Sequence, residues 1–224
     1  MKVVIINGSP RKSGATAILL KRMQDFLIDK KNVEVFFVNL SDYELLSCSG
    51  CMSCYKTGIC CQNDGLEQIN TAIAEADGLI VGSPTYSSSM SGLLKVYIDR
   101  GHFVLEQSLL GKYTFALSTY EIAGGGGVTS SLKILFRYAG GSVSGSYTCK
   151  VPFNTLSLQN SNYESIILKK MEKFYRSIKY KKKKPLFDRL NNFVALKIIM
   201  KPQVLKRPEQ YSAVIQHWKE IGVL

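Results

Sequence analysis

The chain is poor in histidine and tryptophan: His102, His217 and Trp218 are the only ones among 224 residues. Histidine-based hydrolytic or acid–base catalysis therefore has little support, and both histidines read as structural or surface residues. No run approaches the roughly 18 apolar residues that a membrane-spanning helix needs. The opening Met1-Lys2-Val3-Val4-Ile5-Ile6 is too short for the apolar region of a signal peptide, so a cytoplasmic location is expected. Acidic residues are scarce, 17 against 29 Lys+Arg, for a formal net charge of +12. An apolar content of 46% excludes a disordered polar chain and allows one large domain with an appendage.

The charge is unevenly placed. Residues 169–207 hold 14 Lys+Arg and 2 Asp+Glu, which leaves 15 of each sign elsewhere. A neutral body thus carries one basic C-terminal segment. That distribution disfavours nucleic acid as the partner, since the excess charge is a property of the appendage alone.

Residues 3–6 form an unbroken apolar run that ends in Asn7-Gly8-Ser9-Pro10, the pattern of a strand buried on both faces and followed by a loop. Ile18, Leu19, Met23, Phe26 and Leu27 then recur at helical spacing. The alternation continues with strands expected at 33–40, 78–82, 113–118 and 142–149, and helices at 66–76, 91–105, 128–139 and 163–178. Five βα units imply an α/β, flavodoxin-like, doubly wound five-stranded parallel sheet in a three-layer α/β/α sandwich. After Lys181-Lys182-Lys183-Lys184-Pro185 the pattern changes, placing a boundary between a domain at 1–180 and a basic, amphipathic, helical extension at 181–224. Pro202 and Pro208 interrupt that extension, and a short helix over 211–221 carries Trp218.

Two loops stand out. Gly8-Ser9-Pro10-Arg11-Lys12-Ser13-Gly14-Ala15-Thr16 lies between the first strand and first helix, where free N–H groups and the helix dipole favour an anion. It is neither a triphosphate loop nor a dinucleotide fingerprint. A terminal phosphomonoester such as that of FMN fits it. Gly82-Ser83-Pro84-Thr85-Tyr86-Ser87-Ser88-Ser89 follows the third strand, and the loops after strands one and three flank the point where doubly wound sheets bind ligands.

With Ser91-Gly92-Leu93-Leu94-Lys95 and Ile98-Asp99-Arg100 added, these segments resemble the NAD(P)H-dependent FMN reductases of the flavodoxin-like superfamily, over about residues 1–178. The resemblance implies an enzyme that uses NAD(P)H as co-substrate. It implies FMN contacts from Ser9, Arg11, Lys12, Ser13, Gly14, Ala15 and Thr16 to phosphate, and from Pro84, Thr85, Tyr86, Ser87 and Ser88 to the ring. A third loop with Thr119, Gly124 and Gly125 completes the pocket. Family members commonly have Asn where Ala15 stands, so one phosphate contact is missing. The acceptor would be a quinone, nitro compound, flavin or metal, or a redox protein, and the assembly a homodimer or homotetramer.

Five of the six cysteines, Cys48, Cys51, Cys54, Cys60 and Cys61, lie within fourteen residues. Such a cluster in a cytoplasmic protein suits an iron–sulfur centre or zinc better than a disulfide framework, with free thiols the third option. The spacing is similar to that of the iron–sulfur flavoproteins, a branch of the same family. By that resemblance Cys48, Cys51, Cys54 and Cys60 ligate a [4Fe–4S] cluster and the protein passes single electrons, with Cys61 a rival fourth ligand. Cys149 reads as an ordinary core residue.

The basic extension has three readings. Its helix packs a face of Leu186, Phe187, Leu190, Phe193 and Val194 on the body or a second subunit, or it contacts an anionic membrane peripherally. Nucleic acid comes last, since Phe174, Tyr175 and Tyr180 sit at core spacing rather than on a stacking platform.

Overall fold

The computed structural model describes residues 1–152 and 161–224. Five parallel strands, β1 (Lys2–Asn7), β2 (Glu34–Asn39), β3 (Gly78–Tyr86), β5 (Tyr113–Tyr120) and β6 (Ser142–Lys150), form a sheet in the order β2-β1-β3-β5-β6. This is the flavodoxin-type order. A sixth strand, β4 (Ser89–Met90), pairs antiparallel with the end of β3, so Ser87 and Ser88 form a two-residue hairpin turn with φ of 48° and 61°. Positive φ at both central positions is the I′ arrangement that matches strand twist.

The unbroken Val3-Val4-Ile5-Ile6 run feeds two cores by alternation. Val3 and Ile5 pack with α1 (Ala15–Ile28) and α6 (Ser161–Lys179), through Leu19, Leu20, Met23, Ile167, Met171 and Phe174. Val4 and Ile6 face the opposite layer of α3 (Leu66–Glu75), α4 (Gly92–Arg100) and α5 (Gly125–Tyr138), through Ile69, Leu94, Tyr97, Val128, Leu132 and Phe136. Each such fully buried side chain contributes about 1.5–3 kcal/mol, and these two layers hold the sheet between them. Helix α4 is shorter than the 91–105 periodicity implies, because turns take over after Arg100.

Parallel register sets Asn7 beside both Asn39 and Gly82, and Pro84 beside Thr119. The carboxyl ends of β1, β3 and β5 therefore lie together. Gly8 N–H donates to the Gly82 carbonyl at 2.8 Å. Ser91 N-caps α4 by accepting from Leu94 N at 3.1 Å, and its hydroxyl donates to the Gly8 carbonyl, tying α4 to the first loop.

The extension departs from expectation in its orientation. Helix α7 (Leu186–Phe193) runs on through a π-helical turn (Val194–Met200) into α8 (Lys201–Leu205). Its apolar face is largely open rather than packed on the body: Leu186, Phe187, Leu190 and Phe193 are 78%, 62%, 59% and 55% exposed, with the Arg137 guanidinium 5.0 Å from the Phe187 ring. The polar face docks instead. Asp188, 2% exposed, accepts from Arg137 Nε at 2.6 Å and Val143 N at 2.9 Å, and Asn192 donates to Gln107 Oε1 at 2.7 Å. Pro202 does not interrupt the chain: helical dihedrals continue through Met200 and Lys201 into α8, and the wider π-helical turn just before it accommodates the ring. Finally α9 (Ser212–Glu220) buries Trp218 with Leu196, Val204 and Val214 in a third core, and the indole donates to the Leu105 carbonyl at 2.7 Å.

Candidate functional site

At the joined strand ends a cavity of about 250 Å³ is lined by Arg11, Ala15, Pro84, Thr85, Tyr86, Thr119, Tyr120, Glu121, Val151 and Pro152. Three separate loops meet there. Behind it, Thr16 Oγ1 and Thr119 Oγ1 share a buried hydrogen bond at 2.7 Å that couples α1 to β5. Thr85 Oγ1 is buried without a hydrogen-bond partner. A buried hydroxyl costs free energy unless something completes it, so Thr85 marks a position where a polar ligand atom fits.

The first loop is built as an anion cradle. Ser9, 2% exposed, donates its N–H to Asn7 Oδ1 at 3.1 Å, while its Oγ accepts from Arg11 N at 3.1 Å. Gly14 stands at the N-cap of α1 and supplies no side-chain cap, so the first-turn N–H groups of that helix have no internal acceptor. The guanidinium of Arg11 lines the cavity beside them. Lys12 pairs with Asp42, outside the cavity lining. That pairing holds the Asp42 carboxyl below its ordinary range, chiefly through the hydrogen bond from Lys12.

Ser87 and Ser88 form the hairpin turn rather than the cavity wall. Gly124, with φ of +89°, starts α5 at a point where a Cβ would stand 2.9 Å from Ser88 Cα. Only glycine permits that close approach of the third loop to the second. Gly125 lies under Tyr120, where a Cβ would meet Tyr120 Cδ1 at 2.4 Å. Neither glycine lines the cavity; each lets its neighbours do so. Tyr120, Glu121, Val151 and Pro152 carry no motif signal, and their role follows only from strand register.

The cysteines gather at a second place. Cys48, Cys51, Cys54, Cys60 and Cys61 all border one cavity of about 100 Å³, with Tyr55, Asp99, Arg100 and His102. The backbone turns tightly there: Gly50, Met52 and Gly58 have φ of 68°, 61° and 82°. Cys51 Sγ and Cys61 Sγ are 3.4 Å apart, and Cys48 Sγ accepts from Gly50 N at 3.4 Å. The Cys51 thiol is lowered, first by a hydrogen bond from the Ser53 backbone and then by Cys61, whereas Cys61 is raised by its hydrogen bond with Cys51. Among the described residues no three His, Cys, Asp or Glu side chains are arranged to hold a single metal ion. Five thiols around one cavity nevertheless form a donor set suited to a multi-iron cluster.

Two cations sit against this cavity. Arg100, 1% exposed, donates to Cys60 Sγ at 3.2 Å, to the Leu46 carbonyl at 3.0 Å and through both Nη atoms to Asp64. The guanidinium holds the Asp64 carboxyl well below the usual range. Burial works to lower the His102 imidazole, but hydrogen bonds with Cys54 and Glu106 outweigh it and raise the group to about 10. His102 thus belongs to the cysteine site and not to the surface. A lone histidine without a motif gives no sign of this. Cys149 is 1% exposed in the core, as expected.

Helix α2 (Ser53–Thr57) of the cysteine segment is covered by the C-terminal extension. Tyr55 stacks on Tyr211 with centroids 5.6 Å apart, and Ser212 Oγ donates to the Lys56 carbonyl at 2.9 Å.

Comparison with known proteins places the chain in a family. The family described as NADPH-dependent FMN reductase matches residues 1–155. An iron–sulfur flavoprotein of Clostridioides difficile strain 630 is 40% identical over 226 residues, covering 100% of both chains. Another, from Methanocaldococcus jannaschii, is 40% identical over 100 residues, 45% of this chain and 51% of that protein, so the chain spans about half its length. Among solved structures, a flavodoxin from the domain Archaea superposes with a TM-score of 0.54 at 16% identity, covering 80% of this chain and 99% of the other.

Proposed function

The chain belongs to the NADPH-dependent FMN reductase family and is a flavin-dependent oxidoreductase; from that premise we propose that it passes electrons from NAD(P)H, through FMN seated at the strand-end cavity, to a small acceptor. Quinones, nitro compounds, free flavin and metal ions are the acceptor classes, with a redox protein as the alternative. The observation that carries this reading is the convergence of an uncapped helix N-terminus, Arg11 and the unpartnered Thr85 hydroxyl on one cavity.

Bound FMN supplies hydride acceptance and release of electrons singly or in pairs. The protein's part is to hold and shield it. The first-turn N–H groups of α1, with Ser9, Arg11, Ser13 and Thr16, bind the phosphate. Pro84, Thr85 and Tyr86 from the end of β3, with Thr119, Tyr120 and Glu121 from the end of β5, line the ring site. Neither histidine borders this cavity, so no histidine proton transfer is assigned there.

The cysteine cavity supports a second redox centre. Cys48, Cys51, Cys54 and Cys60 would hold a [4Fe–4S] cluster that supplies one-electron transfer, with Arg100 and His102 offsetting the negative charge of the thiolates. The five convergent thiols support this reading, as does the full-length relative named an iron–sulfur flavoprotein.

Purification without oxygen followed by visible spectroscopy and iron and sulfide analysis tests both centres. Flavin bands with steady NAD(P)H oxidation on adding acceptor are expected. Failure to take up FMN on reconstitution would overturn the function, whereas flavin without iron or sulfide would remove only the cluster.

A further inference from the structure

We propose that the outward face of the C-terminal helix is a docking surface for an anionic lipid bilayer, which the enzyme contacts peripherally. The observation is an inverted amphipathic helix. In a water-soluble protein the apolar stripe of a surface helix turns to the core. Here the polar side is anchored, by Asp188 to Arg137 and Val143 and by Asn192 to Gln107, and the apolar side faces out.

The stripe is long and continuous. Leu186, Phe187, Leu190, Phe193, Ile198 and Ile199 are all more than half exposed. An unbroken α-helix would rotate Ile199 towards the side occupied by Asp188 and Ala195. The π-helical turn at Val194–Met200 adds a residue to the turn and brings both isoleucines back to the open face. From Leu186 to Leu205 the helix spans about 30 Å at 1.5 Å per residue. A contiguous exposed apolar patch of this kind marks an interaction site.

Charge selects the occupant. Lys181, Lys182, Lys183 and Arg189 are exposed at the head of the stripe. The two acids of residues 169–207 are already engaged, Glu172 with Lys30 and Asp188 with Arg137. A second copy laid face to face would oppose lysine to lysine without a free carboxylate from this segment. An anionic bilayer offers the opposite charge, and an exposed apolar stripe headed by lysines suits insertion of about 5–10 Å into a headgroup layer. Each nearby lysine adds electrostatic attraction that decays within a Debye length. Among the described residues no helix is long and apolar enough to cross a membrane, so contact is at the surface.

The test uses the full chain sedimented with vesicles of phosphatidylglycerol and phosphatidylcholine, or of phosphatidylcholine alone. Binding to the anionic vesicles at least tenfold stronger than to the neutral ones, and weakened by raised salt, is expected. Leu190→Glu with Phe193→Glu, and separately Lys181→Glu with Lys183→Glu, should each reduce it at least tenfold while leaving the circular-dichroism melt and NAD(P)H oxidation unchanged. Absence of binding to anionic vesicles overturns the proposal, as does binding that survives both pairs of substitutions. Light scattering supplies a third arm: a stable oligomer that the Leu190→Glu and Phe193→Glu pair dissociates, and that ignores vesicles, assigns the face to a second copy and also overturns it.

Discussion

The guanidinium of Arg100 reaches Cys60 Sγ at 3.2 Å while the same group clamps Asp64, so the last residue of α4 fixes one wall of the cysteine cavity. Arg100→Met leaves Asp64 without its partner and Cys60 without its donor. Removing one member of a buried ion pair costs about 3 kcal/mol, which lowers the melting midpoint by roughly 6–12 °C for a chain of this size. Iron retained per chain after reconstitution should fall in parallel. Calorimetry and iron analysis check the two effects.

The same pair gives an acid limb to stability. Because Arg100 depresses the Asp64 carboxyl, the pair contributes stability above the ordinary carboxylate range. That contribution is lost as pH falls through the depressed value, when the folded state must take up the proton. Denaturant melts from pH 7 downward should show a steeper loss for the natural chain than for Asp64→Asn, whose curve starts lower and falls less.

Thr85 separates binding from folding. Its hydroxyl has no protein partner, so Thr85→Val should leave the melting curve within about 0.5 kcal/mol. A hydrogen bond to FMN worth about 1–1.5 kcal/mol would be lost, weakening flavin affinity roughly tenfold. Titration by flavin fluorescence reads this directly, and unchanged affinity would remove Thr85 from the ring site.

Gly124 combines a positive φ with a close backbone approach. Gly124→Ala therefore meets both a strained conformation and Ser88 Cα, with an expected cost of about 1–3 kcal/mol. Since the clash pushes the third loop from the second, flavin affinity should drop along with the melting midpoint.

Asp188 holds the extension by its polar side. Asp188→Ala should release α7 as a local unit without unfolding the sheet, because few apolar contacts hold that helix down. Hydrogen exchange would show protection lost over 186–193 and retained in β1 and β3.

The parallel sheet and its two helical layers were readable from the sequence because each βα unit carries its own periodicity, and Val3-Val4-Ile5-Ile6 declares a strand buried on both faces. Loops at the ends of β1 and β3 were readable from composition. The orientation of α7 was not: amphipathicity defines two faces, but which one meets the protein depends on Asp188 finding Arg137, a partner 51 residues away. His102 and Arg100 were hidden for the same reason. A single charged residue has no period, and its meaning comes from distant groups such as Cys54, Asp64 and Glu106. Pro202 does not act as the break its residue type implies, because its effect depends on the π-helical turn before it, which leaves no simple repeat in the residues.

The packing of Trp218 and Tyr211 over the cysteine segment has a consequence for biosynthesis. The chain emerges from the ribosome N-terminus first, and Trp218 follows Cys61 by roughly 160 residues. At about 5–20 residues per second helix α2 waits on the order of 8–30 s for the Tyr211 and Ser212 contacts that hold it. Cys48, Cys51 and Cys61 stay exposed once the extension has docked, so a group inserted among the thiols can enter during translation or after it, and the late-arriving extension steadies the helix beside them rather than closing the site.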